Sequence, residues 1–499
     1  MVYCPRLDKC DVDEGIIMNI GNASLETECS LNEVFVNEGS PTAQTDNGVG
    51  QVAEAAGNTY YLERQAALES NARSYPRRLP IAIARAEGIY VEDTDGRRYI
   101  DCLGGAGALV LGHRHPAVVE ALQGAVADGV PWQTLDLTTP VKDTFVRGLF
   151  ESLPQKFAAS ARIQFCGPSG ADAIEAAVKL VKTATGRRSI LAFHGAYHGM
   201  THGALALTGE IGPKLAVAGL MPDVHFLPFP YGFRCPFGLG GEAGWCASLG
   251  YIERLLDNPG SGITPPAGML LEAVQGEGGV IPAPDEWLKA IRRITRERDI
   301  PLIVDEVQTG IGRTGRMYAF EHAGILPDVL VLSKAVGGGL PLSAVIYHQD
   351  LDLWEPGAHA GTFRGNQLAM ATGTAAMRFI QEEGLDRHSG AMGTRLMNHL
   401  HRIEKGSRAL GEVRGRGLMI GVEVVDATGS PNRLGCYPED PQQARRIQTE
   451  CLSRGLILEL GGRKGCVVRF LPPLIVTQSQ IDEIAAIFTD AVDAVENGS

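Results

Sequence analysis

The sequence predicts an α/β protein: a large domain built on a mostly parallel β-sheet with helices on both faces, accompanied by a second, smaller α/β domain. Two patterns predict it. In the middle of the chain, short β-rich runs (ARIQFCG, RSILAFHG, AGMLLEAVQGEGG, IPLIVDEV, PDVLVLSK, LSAVIYH) alternate with helical patterns such as GADAIEAAVKLVKTATG and PDEWLKAIRRITRERD. This is the signature of parallel strands joined by helical crossovers. Nearer the carboxyl end the pattern changes to long amphipathic helices with two further apolar runs, RGRGLMIGVEVVD and GCVVRFLPPLIV. A chain of 499 residues, 44% hydrophobic, has enough material for one large core or two smaller ones.

Taken in order, residues 1–58 carry many acidic side chains but only Arg6 and Lys9 as strong bases. They read as a weakly structured N-terminal extension, with NEGSPTAQTDNGVG as its linker, and not as an Arg-rich transit peptide. From Thr59, TYYLERQAALESNARS reads as a helix and GIYVEDTDGRRYID as two short strands around an Asp-Gly turn. Residues 59–124 are assigned to the N-terminal part of the smaller domain, 125–375 to the large domain, and 376–499 to the C-terminal part of the smaller one.

The net charge of −13 argues against nucleic-acid binding, which needs clustered Lys and Arg. No run approaches the roughly 20 apolar residues of a membrane span. Ten cysteines lie scattered without CxxC pairs, which suggests neither a disulfide framework nor a zinc site and fits a reducing cytoplasm. His113 and His115 in LGHRHP lack cysteine or carboxylate companions nearby in the sequence and read as structural. His198 and His202 enclose no HExxH-type acid and read as pocket or core residues.

In open parallel sheets the ligand site lies beyond the carboxyl ends of the strands. Polar or Gly-rich punctuation ends several strands here, at 166–170, 194–199, 272–279, 305–310 and 333–339, and these ends are expected to converge on one crevice. CGPSGADAIEAAVKL joins a strand to a helix through glycines and exposes backbone N–H groups to an anion such as phosphate. PLIVDEVQTG holds Asp305 at a sheet end, screened from water and in need of a cationic partner. PDVLVLSK delivers Lys334 from another strand, and a desolvated lysine is the standard amine for Schiff-base chemistry. Taken singly, each has an ordinary reading, such as a lysine marking where a strand meets water. Together they specify pyridoxal 5'-phosphate: the lysine condenses with its aldehyde, the carboxylate keeps its ring nitrogen protonated, and the helix end holds its phosphate. AYHG offers Tyr197 as an aromatic plate for the ring.

LLEAVQGEGG, LIVDEVQTGIGRTG, LSKAVGGGLPLSAV and HAGTFRGNQLA together resemble the class III (ω-amino acid) aminotransferases, in the same order and spacing. ESNARSYPRRLP, DCLGGAGALVLGHRHP, FHGAYHGMTHGALALTG and RGLILELGGRKGCVVRFLPPLI resemble in particular the diaminobutyrate–2-oxoglutarate aminotransferase group. The resemblance runs from Tyr60 to Val492 and omits the extension. It implies a fold-type I pyridoxal-phosphate enzyme with a seven-stranded sheet, and a reversible transfer of the 4-amino group between L-2,4-diaminobutanoate and 2-oxoglutarate. The products would be L-aspartate 4-semialdehyde and L-glutamate.

The matching positions imply specific roles. Lys334 is the Schiff-base lysine, Asp305 the partner of the ring nitrogen, and Gln308 a partner of the ring hydroxyl. Gly170 and Ala171 hold the phosphate through backbone N–H groups, with Ser169 beside them, and Tyr197 and Val307 sandwich the ring. Thr362 matches a phosphate contact given by the neighbouring subunit, which implies a homodimer. Arg469 matches the arginine that receives the 2-oxoacid's α-carboxylate. Glu277 matches the residue that pairs with this arginine when the ω-amine is bound and swings aside for the oxoacid. One position departs: Ala106 stands where ornithine-type relatives carry an aromatic residue, so the donor's distal contacts stay unassigned. Another ω-amine donor (ornithine, 4-aminobutanoate or a polyamine) or an aminomutase reaction fits the same scaffold. A cofactor-free relative would be expected to have lost Lys334 or Asp305.

Overall fold

The computed structural model describes residues 56–498. Most of the expected extension, residues 1–55, lies outside the described residues. Asn58 already opens a helix, Asn58–Leu68. Its side chain explains why: Nδ2 donates to Asp93 Oδ2 at 2.9 Å, while Oδ1 accepts from Ala82 N at 2.7 Å. The helix start is thereby fastened to the hairpin formed by Tyr90–Asp93 and Arg98–Asp101, the two strands expected around the Asp-Gly turn.

The central sheet has seven strands in the order Ala161–Phe165, Ala344–His348, Val329–Leu332, Leu302–Asp305, Pro266–Leu271, Ser189–Phe193 and Val224–Leu227. All run parallel except Ala344–His348, which is antiparallel to both its neighbours. The inner strands LIVD, VLVL, SILAF and PAGMLL are buried at every position. Covered on both faces, they need continuous apolar runs instead of alternation. Asp305 lies beside Val331 in the parallel register. The carboxyl ends of these two strands therefore emerge together and bring Asp305 and Lys334 to one edge of the sheet.

Helices complete the layers. Asp285–Glu297 buries Trp287, Leu288, Ile291 and Ile294, a helical stripe. Trp287 packs edge-on against Phe193 and Phe229, with ring centroids 5.4 and 5.5 Å away. Each such side chain, fully buried, contributes about 1.5–3 kcal/mol. Two four-stranded sheets lie outside the main one. In the first, Ile83–Glu87, Tyr90–Asp93 and Arg98–Asp101 form an antiparallel meander, and Leu456–Ile457 joins it parallel to Arg98–Asp101. The second is antiparallel throughout, in the order Leu410–Arg416, Met419–Val424, Val467–Phe470, Glu459–Gly461. A small hairpin, Val274–Gln275 with Ile281–Pro282, carries Glu277 in its loop.

Candidate active site

The strand-end segments meet as a pocket lined by Lys334, Tyr197, Glu277, Glu459, Tyr75 and Ala106, among others. Lys334 opens a short 3-10 turn, Lys334–Gly337, with φ of 50°, in the left-handed region that a residue with a Cβ adopts only when its surroundings impose it. Those surroundings include Ser333, whose Oγ donates to Leu342 O at 2.9 Å. The lysine amine makes no hydrogen bond or ion pair among the described residues. Burial lowers its pKa, with Glu277 opposing the shift and Arg469 adding to it.

Asp305 ends the strand Leu302–Asp305 and is buried. Its Oδ2 takes a hydrogen bond from His198 Nδ1 at 2.8 Å, and its Oδ1 accepts from Val307 N at 3.0 Å. Helix Gly170–Thr185 begins at Ser169, whose Oγ accepts from Asp172 N at 3.3 Å. The first-turn N–H groups of Gly170 and Ala171 find no acceptor among the described residues. A Cβ on Gly170 would lie 2.9 Å from Val307 Cγ1, so only glycine leaves this cradle open. The nearby Asp172 carboxylate is turned away, with Oδ2 accepting from Gly167 N at 2.5 Å and lying 3.1 Å from His359 Nε2. A free, partly buried amine, an anchored carboxylate and an open helix N-terminus fit pyridoxal phosphate.

A second set of charges lies alongside. Arg469, on the strand Val467–Phe470, is fully buried. Its Nη1 donates to Glu277 Oε2 at 2.7 Å and its Nη2 to Gln308 Oε1 at 3.0 Å. Gln308 Nε2 in turn donates to Ala106 O at 3.2 Å. A Cβ at position 461 would come within 2.6 Å of Arg469 Cδ, which requires Gly461 there. Burial disfavours the charge of both partners, but Arg469, helped by Lys334 and Gln308, offsets it and holds the Glu277 carboxyl below the ordinary range. Glu277, followed by Glu459, does the same for the Arg469 charge.

Of the residues expected from sequence, Lys334, Asp305, Gly170, Val307, Tyr197, Gln308, Glu277 and Arg469 fall in these two linked groups. Thr362 does not: it lies on an exposed segment, where its carbonyl accepts from Gln133 Nε2. One expectation is corrected, that of His202. It is exposed at the start of helix His202–Leu207, neither pocket nor core. His113 bonds Asp101 Oδ2 at 2.8 Å, and His115 packs on Phe379 with ring centroids 4.4 Å apart.

Three site residues escaped the sequence reading, Glu272, Glu459 and Tyr75; His198, read only as a pocket or core residue, stands under Asp305. Glu272 accepts from Tyr197 N at 3.0 Å and Gly276 N at 2.8 Å, tying the turn of the aromatic plate to the hairpin of Glu277. Burial pushes its carboxyl up to about 7, with Asp305 adding to the shift. Glu459 had a visible signal, an acid inside the apolar run GLILELGG, the same kind that marks Asp305.

The fold and this site define a fold-type I pyridoxal-phosphate enzyme. Residues 71–492 match the family model "Aminotransferase class-III", and the chain belongs to that family. It is 56% identical over 449 residues to a diaminobutyrate–2-oxoglutarate aminotransferase of Rhizobium meliloti (strain 1021), covering 90% of this chain and 96% of the relative. A protein of the same description from Haemophilus influenzae is 50% identical, covering 88% and 96%. Among solved structures, the ornithine aminotransferase of Toxoplasma gondii superposes with a TM-score of 0.74 at 25% identity, over 88% of this chain and 95% of that one. A transaminase from a study of directed evolution by ancestral reconstruction gives 0.78, also at 25% identity, over 88% and 99%.

Proposed function

We propose that the protein moves the 4-amino group between L-2,4-diaminobutanoate and 2-oxoglutarate, reversibly giving L-aspartate 4-semialdehyde and L-glutamate. The names of the two relatives above support the substrate pair. The observation that carries the reading is Arg469, a buried guanidinium in the pocket of Lys334 whose main partner, Glu277, stands on a hairpin loop.

When bound, pyridoxal phosphate supplies the electron sink that lets a proton leave the amine-bearing carbon. Gly170 and Ala171 offer their N–H groups to its phosphate, with Ser169 capping the same helix end. Tyr197 and Val307 confine the ring. Asp305, fixed by His198 and by Val307 N, holds a proton on the ring nitrogen. Lys334 Nζ takes the proton from the amine-bearing carbon and returns it during the same half-reaction, and its lowered pKa keeps more of it in the neutral form that can act as a base.

Arg469 then decides between substrates. An amine donor entering by its terminal amine offers no carboxylate to Arg469, so Glu277 stays on the guanidinium. Stripping a partner from a buried ion pair costs roughly 3–5 kcal/mol. When 2-oxoglutarate enters, its α-carboxylate replaces Glu277 and can bind the guanidinium in bidentate fashion.

We further propose a cytoplasmic homodimer in which Thr362 reaches the neighbouring site. Trp132, Leu135, Leu137 and Phe363 are large apolar side chains left more than half exposed in the single chain, which supports burial against a second copy. No described helix is long and apolar enough to cross a membrane. The strand Leu456–Ile457 beside Arg98–Asp101 supports treating 59–124 and 376–499 as one smaller domain around the large domain, 125–375.

The test is glutamate formation from 2-oxoglutarate with a panel of diaminobutanoate, ornithine, 4-aminobutanoate and polyamines. Diaminobutanoate should give the highest kcat/KM. A higher value for any other donor would refute the assignment.

A further inference from the structure

Two carboxylates border Arg469, not one. Glu277 Oε2 lies 2.7 Å from Nη1, and Glu459 Oε2 lies 3.4 Å from the same nitrogen. One guanidinium can neutralise only one of them. Glu459 is 5% exposed, its Oε1 takes a hydrogen bond from Tyr75 OH at 2.9 Å, and its Oε2 accepts none among the described residues. It lines the same pocket as Lys334 and Glu277. Unlike Glu277 on its hairpin loop, Glu459 opens a strand directly opposite Arg469 in the antiparallel register, and Tyr75 OH anchors its side chain. The pocket thus holds a buried carboxylate with one oxygen lacking a hydrogen bond, beside a guanidinium already engaged by Glu277, and such a group calls for a cationic partner.

We propose that Glu459 selects the amine donor by receiving the 2-ammonium group of L-2,4-diaminobutanoate while the 4-amino group reacts at Lys334. This rests on the substrate reading above and adds the residue that reads the donor's distal end. The ammonium lies two carbons from the reacting carbon, and it is the group that separates this donor from 4-aminobutanoate, which is the same molecule without it. Tyr75 OH, donating to Glu459 Oε1, anchors the carboxylate, whose other oxygen has no hydrogen-bond donor among the described residues and lies 3.4 Å from Arg469 Nη1. Burial, together with Glu277, pushes the carboxyl of Glu459 upward, a penalty that an incoming cation relieves.

The test follows the first half-reaction alone, by cofactor absorbance of the holoenzyme, with diaminobutanoate and 4-aminobutanoate as paired donors. Wild type should prefer diaminobutanoate. In Glu459→Gln that preference should fall roughly 10- to 100-fold, the size of one lost charge-assisted hydrogen bond. Tyr75→Phe, at a half-exposed position that tolerates the change, should lower it by less. Binding gives a second readout: in a Lys334→Ala background, calorimetric dissociation constants for the two donors should converge once Glu459 is replaced. A preference for diaminobutanoate that survives Glu459→Gln, or an equal loss for both donors, overturns the role of Glu459 while leaving the substrate reading intact. Equal reactivity of both donors in wild type overturns both.

Discussion

Asp305 and Arg469 are both buried charges at one pocket, yet their partners differ in kind. Asp305 ends a central parallel strand, and its oxygens are taken by the buried ring of His198 and by the backbone N–H of Val307. Arg469 comes from the smaller antiparallel sheet and faces two carboxylates and an amide, of which Glu277 stands on a short hairpin loop. The first arrangement suits a charge that must stay the same in both half-reactions. The second suits a charge whose partner must be exchanged between them. On the proposed reaction one side of the pocket serves constancy and the other competition, and variants should separate the two.

Lys334→Ala should have the largest effect, lowering turnover by roughly 10⁴-fold or more, since it removes both the nucleophile and the proton carrier. Steady-state assay and the loss of borohydride-reducible cofactor linkage would show it. Normal turnover with the cofactor linked to another lysine would break the account on its constant side. Asp305→Asn should slow both half-reactions by a similar factor, roughly 10²–10³, because a neutral amide cannot hold the ring nitrogen protonated. Stopped-flow absorbance of each half would reveal an unequal loss if Asp305 were instead a substrate contact.

Glu277→Ala should split the halves. The diaminobutanoate half should fall roughly tenfold or more, as Arg469 loses its cover, while glutamate should react faster by its α-amino group. Equal changes in both would show that Glu277 is no switch. His198→Gln should have the smallest effect, a loss within roughly tenfold shared by both halves, because the amide can still donate to Asp305. A split between halves in that variant would mean the Asp305 side is not the constant one.

Much of the constant side was legible in the sequence, because strand ends announce themselves. LIVD and VLVLSK place Asp305 and Lys334 after apolar runs too long to be exposed, and CGPSGAD signals a helix start with free N–H groups. Glu277 and Arg469 were found through resemblance, since neither has a local pattern that demands a partner. The remainder depends on tertiary placement. His198 and Asp305 are 107 positions apart, and Tyr75 and Glu459 are 384 apart. No local periodicity encodes such pairs. His202 shows the converse failure: read with His198 as a pocket or core residue for want of an acid between them, it stands exposed at the start of the helix His202–Leu207.

The most direct test of the proposed reaction is isotopic. Holoenzyme given L-2,4-diaminobutanoate labelled with ¹⁵N at the 4-amino group, together with 2-oxoglutarate, should yield glutamate carrying the label in equal amount to the aspartate 4-semialdehyde formed. Unlabelled glutamate, showing transfer of the 2-amino group, or no glutamate at all, would contradict it.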